Sequence, residues 1–270
     1  MNRVCLVYFS PTGGTKLIAS TVAKAMAQEL ELELEEFDIS LPEAREREYN
    51  FGPEDLTVIA SPTYAGRVPN KMLPEFERLI KGAGNTPAVI VSVYGGRSND
   101  EGLRELLLVA ENNGFTAIAA ASCVARHSMS RVLAASRPNE SDLESLASFG
   151  RQAAKKAITG PTALVIDRET PIAPYYRPFK EDMSPAVFLK AKPLTDLDKC
   201  VKCGLCAASC PMGSISPEDF CTVTGVCIKC HACVRKCPTG AKYFDNGELL
   251  SHIRVLEKLF KGEQDNVYMI

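Results

Sequence analysis

From Val4 to about Ile158 the chain alternates short β-branched apolar runs with longer stretches whose apolar residues recur at helical spacing. That alternation predicts βαβ units and a parallel sheet. The predicted strands are Val4 to Phe9, Leu32 to Phe37, Leu56 to Ser61, Ala88 to Val93 and Ala117 to Val124. Between them helical patterns run from about Gly14 to Glu29, Asn70 to Ile80 and Asp100 to Asn113, with a last one from Asp142 to Ile158. Four of these strands are nearly continuous apolar runs, as strands covered on both faces must be, whereas Leu32 to Phe37 alternates with glutamate and suits a sheet edge. Five strands with helices between them make a small doubly wound α/β domain over residues 1–158. In such folds ligands bind beyond the carboxyl ends of the strands, near the topological switch point.

After Gly160 the periodicity weakens. Pro161, Pro171, Pro174, Pro178 and Pro185 punctuate residues 159–192, which read as a semi-rigid, partly packed connector. Its aromatic residues Tyr175, Tyr176 and Phe179 are candidates to tie the two flanking regions together. A second region occupies residues 193–245, and in the remainder, 246–270, Leu249 to Phe260 has helical spacing with Ile253, Leu256, Leu259 and Phe260 apolar, as a helix packing on the domains requires.

Length and composition sharpen this division. A chain of 270 residues suggests two domains at about 150 residues each. With 46% hydrophobic and 24% charged residues it can bury a core, and a net charge of −2 gives it no global attraction to nucleic acid or an anionic membrane. No apolar run approaches the ~18 residues of a membrane span, and Met1 to Phe9 lacks the features of an export signal, so a soluble cytoplasmic protein is expected. Nine of the 11 cysteines fall between Cys200 and Cys237. In a reducing compartment such a cluster binds metal more often than it forms disulfides.

Three loops at the carboxyl ends of the predicted strands carry unusual chemistry. Ser10-Pro11-Thr12-Gly13-Gly14-Thr15 follows the first strand and opens the first long helix. Ser10, Thr12 and Thr15 offer hydroxyls, Gly13 and Gly14 let backbone N–H groups approach an anion, and the helix N-terminus adds positive partial charge. Neither a Walker A loop nor a G-x-G-x-x-G fingerprint is present. This loop resembles the (S/T)-x-T-G-x-T phosphate loop of flavodoxins, over roughly residues 1–158. The resemblance implies strand order 2-1-3-4-5, bound flavin mononucleotide (FMN), and a flavin ring held by the loops after strands three and four. Those loops supply Thr63, Tyr64, Ala65, Gly66 and Arg67, then Tyr94, Gly95 and Arg97. Tyr64 and Tyr94 are the candidates to stack on the ring, although a tyrosine at a strand end also serves as a packing residue. Flavodoxins usually surround the flavin with acidic residues, so Arg67 and Arg97 depart from the pattern. Cations there would stabilise the anionic reduced ring and favour two-electron chemistry. His127, in the loop after the fifth strand, is a further candidate as proton donor or hydrogen-bonding contact, and with Arg97 makes up the weak catalytic candidates.

The second region holds Cys200-x2-Cys203-x2-Cys206-x3-Cys210-Pro211 and, 27 residues later, Cys227-x2-Cys230-x2-Cys233-x3-Cys237-Pro238. Lys202 and Lys229, and Gly213 and Gly240, obey the same shift, so the region is an internal duplication. The spacing is that of bacterial two-cluster ferredoxins, in which the fourth cysteine of each run serves the other cluster. This resemblance covers residues 193–245 and implies a small α+β fold with two [4Fe–4S] clusters. One would be held by Cys200, Cys203, Cys206 and Cys237, the other by Cys227, Cys230, Cys233 and Cys210. Structural zinc sites usually use two separated C-x2-C pairs instead. Cys221 breaks the repeat and reads as a nonligand, Cys5 and Cys123 as small core residues, and His231, between two ligands, as a solvated surface histidine.

Across most of its length the chain resembles flavodoxin-ferredoxin fusion proteins of anaerobes. That kinship implies an iron–sulfur flavoprotein that relays electrons between clusters and flavin and on to an acceptor. The donor would be a redox partner protein, since no nicotinamide fingerprint is visible. A flavin-dependent reductase of a small-molecule acceptor, a pure one-electron carrier for a partner enzyme, and a cluster-based redox sensor all fit these residues.

Overall fold

Val4 to Tyr8 is buried on both faces because it lies between two strands and under helices on either side. In the computed structural model, which describes residues 1–262 and 264–270, β1 (Arg3–Tyr8) leads through the phosphate-type loop into α1 (Gly14–Leu30) and on to β2 (Glu33–Asp38). A short β3 (Tyr49–Phe51) precedes β4 (Asp55–Pro62), α2 (Leu73–Leu79) and a short β5 (Ile80–Gly82). Then come β6 (Thr86–Tyr94), α3 (Gly102–Asn112), β7 (Phe115–Val124) and α4 (Glu140–Thr159). Strands β2-β1-β4-β6-β7 pair in parallel in that order, which is the flavodoxin order 2-1-3-4-5 when they are counted among themselves. β3 and β5 form a separate two-stranded pair.

The sheet is doubly wound. On one face α1 and α4 bury Ile18, Val22, Met26 and Phe149 against Val4, Leu6 and Val58. On the other, α2 and α3 bury Phe76, Leu106 and Leu107 against Val7, Ile59 and Ile90. β2 lies on the edge, where exposed Glu33 and Glu35 remain solvated. α4 opens on a capping box in which Asn139 and Asp142 satisfy each other's backbone N–H groups.

Residues 160–193 contain no helix or strand, yet they are anchored along their length. Leu164 enters the core with its N–H on the Ala117 carbonyl, Arg168 pairs with Glu111, and Arg104 donates to the carbonyls of Thr170 and Pro171. The Tyr176 N–H reaches the Ala65 carbonyl at 2.8 Å. This path along α3 delivers the connector's aromatic residues to the carboxyl ends of the strands.

Beyond it, β8 (Leu194–Thr195) and β9 (Lys242–Tyr243) pair antiparallel around α5 (Leu205–Ala208) and α6 (Ala232–Lys236). The duplication persists in the backbone. Lys202 and Lys229 have φ of 54° and 55°, and Gly204 and His231, 27 positions apart, have φ of 75° and 60°. α7 (Gly247–Leu259), capped by Asn246, buries Leu249 and Ile253 with Phe244 and Ala191. The chain then adds a feature that the sequence reading lacked. β10 (Val267–Met269) joins the outer edge of β7 antiparallel, with Tyr268 stacked on Phe149 at 5.1 Å between ring centres. Among the described residues no helix is long and apolar enough to cross a membrane.

Candidate functional site

The eight repeat cysteines surround two separate small spaces. Cys200, Cys203, Cys206 and Cys237 line one; Cys210, Cys227, Cys230 and Cys233 line the other. Backbone N–H groups point at the sulfurs, from Ser214 to Cys210 at 3.3 Å, from Ala241 to Cys237 at 3.2 Å and from Ala232 to Cys230 at 3.5 Å. Burial pushes the Cys230 and Cys233 thiols up to about 12, so thiolates there require strong cationic partners. Among the described residues no three His, Cys, Asp or Glu side chains close on a point where a single ion would sit. Thiol quartets drawn from two C-x2-C-x2-C-x3-C-P runs, with inward N–H groups, fit a four-iron cube better than one zinc ion.

Cys221 is exposed and lines neither space, and Cys5 and Cys123 are wholly buried in the α/β core. His231 corrects the expectation of a solvated surface residue. It is 7% exposed and stacks on Phe244 with ring centres 4.5 Å apart, and its buried Nε2 has no hydrogen-bond partner among the described residues.

A cavity of about 860 Å³ opens where the two regions meet. One wall comes from the loops after β1, β4, β6 and β7; the other from Tyr175, Tyr176, Phe188 and the loop Gly225–Lys229. Cys227 lines this cavity and one thiol space at once.

Tyr64 is held by a tight hairpin in which Tyr64 and Arg67 exchange backbone hydrogen bonds of 2.8 and 3.2 Å. Ala65 and Gly66 take φ of 49° and 80°, as a type I′ turn demands. A Cβ on Gly66 would also lie 2.2 Å from Asp100 Oδ2, so this turn needs glycine. Burial raises the Tyr64 phenol well above its usual value, and the nearby Cys230 and Cys227 sulfurs add to the shift. Thr63, also on the cavity wall, is fixed by Ser92 and Asn99 at 2.8 and 2.6 Å.

In the loop after β1, Gly13 sits at φ 90° as the N-cap residue of α1, with no side-chain cap and no acidic residue in the first turn. Ser10 Oγ accepts from the Lys16 N–H at 2.9 Å and so caps the third residue of the helix, which leaves the N–H groups of Gly14 and Thr15 without a side-chain acceptor among the described residues. Gly14 and Thr15 line the cavity, whereas Ser10, Thr12 and Gly13 do not.

Two expectations change at the ring-holding loops. Arg67 does not line the cavity: its guanidinium is paired with buried Glu105 and lies over the Tyr175 ring at 4.4 Å. Glu105 comes from α3, a partner that loop spacing does not reveal. Arg97 does line the cavity, but Asp100 neutralises it and its guanidinium covers Tyr176 at 4.2 Å. Tyr94 is 7% exposed, its hydroxyl 3.5 Å from the Asp265 carbonyl, and it offers a stacking ring little free surface.

His127 lines the cavity beside Gly95. Its Nδ1 accepts from the N–H groups of Met129 and Ser130, at 3.3 and 3.1 Å, which places the proton of the neutral ring on Nε2. Burial, with Arg235 and Arg97 nearby, lowers its pKa to about 4. His127 is a fixed neutral donor at ordinary pH.

Several residues of the interface escaped the sequence reading. His252 stacks between Phe188 and Tyr176, with ring centres 5.7 and 5.9 Å away, and its Nδ1 meets the Phe179 carbonyl at 3.0 Å. Arg235, from α6, donates to the carbonyls of His127, Ser128 and Ser130. The aromatic pair in the proline-rich connector was the available signal for the second wall; nothing in the sequence marked the arginine.

The family model of the 4Fe-4S binding domain matches residues 193–216 and 222–243. No curated relative matches the chain in sequence. Flavodoxin 1 from Bacillus cereus is similar in structure at 18% identity and a TM-score of 0.42, covering 57% of this chain and 98% of its own. The flavodoxin of Streptococcus pneumonia TIGR4 gives 21% and 0.40 over 57% of this chain and 98% of its own. Rubredoxin oxygen:oxidoreductase from Desulfovibrio gigas gives 15% and 0.38 over 59% of this chain and 38% of its own.

Proposed function

We propose that this chain, a flavodoxin-like α/β fold joined to a 4Fe-4S binding domain, is an internal electron relay with FMN in the interface cavity. The observation that carries this reading is Cys227, which borders both the cavity and the space ringed by Cys210, Cys230 and Cys233. A cluster there would be separated from a ligand in the cavity by one side chain. The other quartet, Cys200, Cys203, Cys206 and Cys237, is remote from the cavity and includes exposed Cys203. Electrons would enter or leave at that exposed end, from a redox partner protein, and pass through the Cys227 quartet.

When bound, the flavin supplies a two-electron store and the clusters supply single-electron steps. The chain's own residues hold it in place. The first turn of α1 receives the phosphate at Gly14 and Thr15, where N–H groups and the helix dipole favour a dianion. Tyr64 offers its ring for stacking. His127 Nε2–H donates into the ring site without carrying charge. With Arg67 and Arg97 both paired to carboxylates, cationic stabilisation of the reduced ring rests elsewhere.

Anaerobic reconstitution with iron, sulfide and FMN tests the reading. About eight irons and one flavin per chain are expected, at four irons for each cysteine quartet. A chain that takes up iron but no flavin would overturn the relay.

A further inference from the structure

The cavity is lined by Lys71, Arg97, Arg126, Lys190, Lys192 and Lys229, and by no aspartate or glutamate. The composition does not account for this, because the chain has 31 basic and 33 acidic residues. Arg97 is paired with Asp100, and Lys192 and Lys229 donate to the carbonyls of Val223 and Leu189 beside Cys227. Lys71, Arg126 and Lys190 form no ion pair among the described residues. They rim the opening, and a rim of one sign concentrates molecules of the opposite sign.

The wall facing the α/β loops is aromatic. Phe188, His252 and Tyr176 succeed one another, the first two rings stacked at 27° and the last two tilted at 35°, so that they cover each other's faces and turn their edges to the cavity. Ring edges carry positive partial charge and accept the face of a planar π-system. At about 860 Å³ the cavity lies near the upper end of the roughly 300–1,000 Å³ of small-molecule sites, and its two walls belong to different regions of the chain. A mononucleotide seated on Gly14, Thr15 and Tyr64 occupies the α/β wall. The phosphate it carries is met at the helix N-terminus, which leaves the exposed rim cations Lys71, Arg126 and Lys190 unexplained.

We infer that the cavity takes a second small ligand beside the flavin, a planar conjugated molecule bearing an anionic group, laid on the Tyr176–His252–Phe188 wall with its charge toward Lys71 and Lys190. The inference rests on the relay proposed above for the presence of the flavin, and it names the chemical class of that relay's acceptor.

Cinnamate and its uncharged amide, cinnamamide, are probes of equal size and planarity. Calorimetric titration of the full chain carrying clusters and flavin should show cinnamate binding about tenfold more tightly, a difference of about 1.4 kcal/mol, with the advantage shrinking as salt is raised. In the variant Lys71→Gln/Lys190→Gln, cinnamate should fall to the affinity of the amide while iron and flavin contents stay at wild-type values. Equal binding of the two probes, binding of neither, or an acid preference that the double variant keeps would overturn the inference. Flavin content measured in the same samples separates the two readings: a chain without flavin defeats the relay, and the same titration on the cluster-loaded chain still decides whether the cavity selects an anion.

Discussion

The guanidinium of Arg45 donates to the main-chain oxygen of Pro211, 166 residues along the chain and next to Cys210. Arg45 is 9% exposed, and the same fork reaches the carbonyls of Ile39 and Ser40 and the Met72 sulfur, at 3.3, 3.4 and 3.3 Å. A planar fork meets several acceptors that one ammonium cannot meet together. Arg45→Lys should therefore destabilise the chain by about 1–3 kcal/mol, through buried carbonyls left unpaired. The cluster beside Cys210 should also be lost before the other, as EPR during a chelator challenge will show.

The thiol spaces predict which cysteine variants resemble each other. Cys237→Ala should match Cys200→Ala, not its sequence neighbour Cys233→Ala, because Cys237 shares its space with Cys200 and Cys233 does not. Each of the first pair should retain the iron of the Cys227 quartet, about four atoms per chain. EPR spectra of the reduced proteins would check the pairing.

His127 makes stability depend on pH. Its folded pKa of about 4 lies below the usual 6.5, so between those values the unfolded chain binds a proton that the folded chain does not. Stability from this group is present above about pH 6.5 and is lost as pH falls toward 4. His127→Asn keeps an acceptor for the Met129 and Ser130 N–H groups and removes the titration. Denaturant melts at equal cofactor loading should show a shallower acid slope in the variant, smaller by on the order of 1–3 kcal/mol over that window.

A methyl group at position 95 would meet His127. The Cβ of Gly95→Ala would fall 2.4 Å from Cδ2 and 3.0 Å from Cα of that residue, so the imidazole must move. Flavin affinity should drop by about tenfold or more, equivalent to about 1.4 kcal/mol, with iron content unchanged. Fluorescence of released flavin measures the first and a chelator assay the second.

What the sequence made legible was local. Runs such as Ala88 to Val93 are apolar on both faces because both faces are covered, and period and spacing revealed the sheet, its glutamate-bearing edge and the 4Fe-4S binding domain. What it hid were partnerships between distant segments. Arg67 is neutralised by a glutamate 38 residues away on α3, and burial of His231 depends on Phe244. β10 has three residues, too few for any periodicity, and pairs because β7 offers an open edge. The second wall of the cavity likewise exists only once Tyr176, Phe188 and His252 are brought together.

β10 changes the topological status of the iron–sulfur region. The chain leaves the α/β layer after α4 and returns to the same sheet at Val267, so residues 160–266 are an insertion held at both ends and not a tail hung from one. Two tethers restrict hinge motion far more than one, which keeps the cavity's opposing walls in register without a lid. They also link the fates of the parts. Losing the ferredoxin-like body frees β10 and bares the β7 edge, a template for pairing with other chains, so cofactor loss and aggregation should set in together.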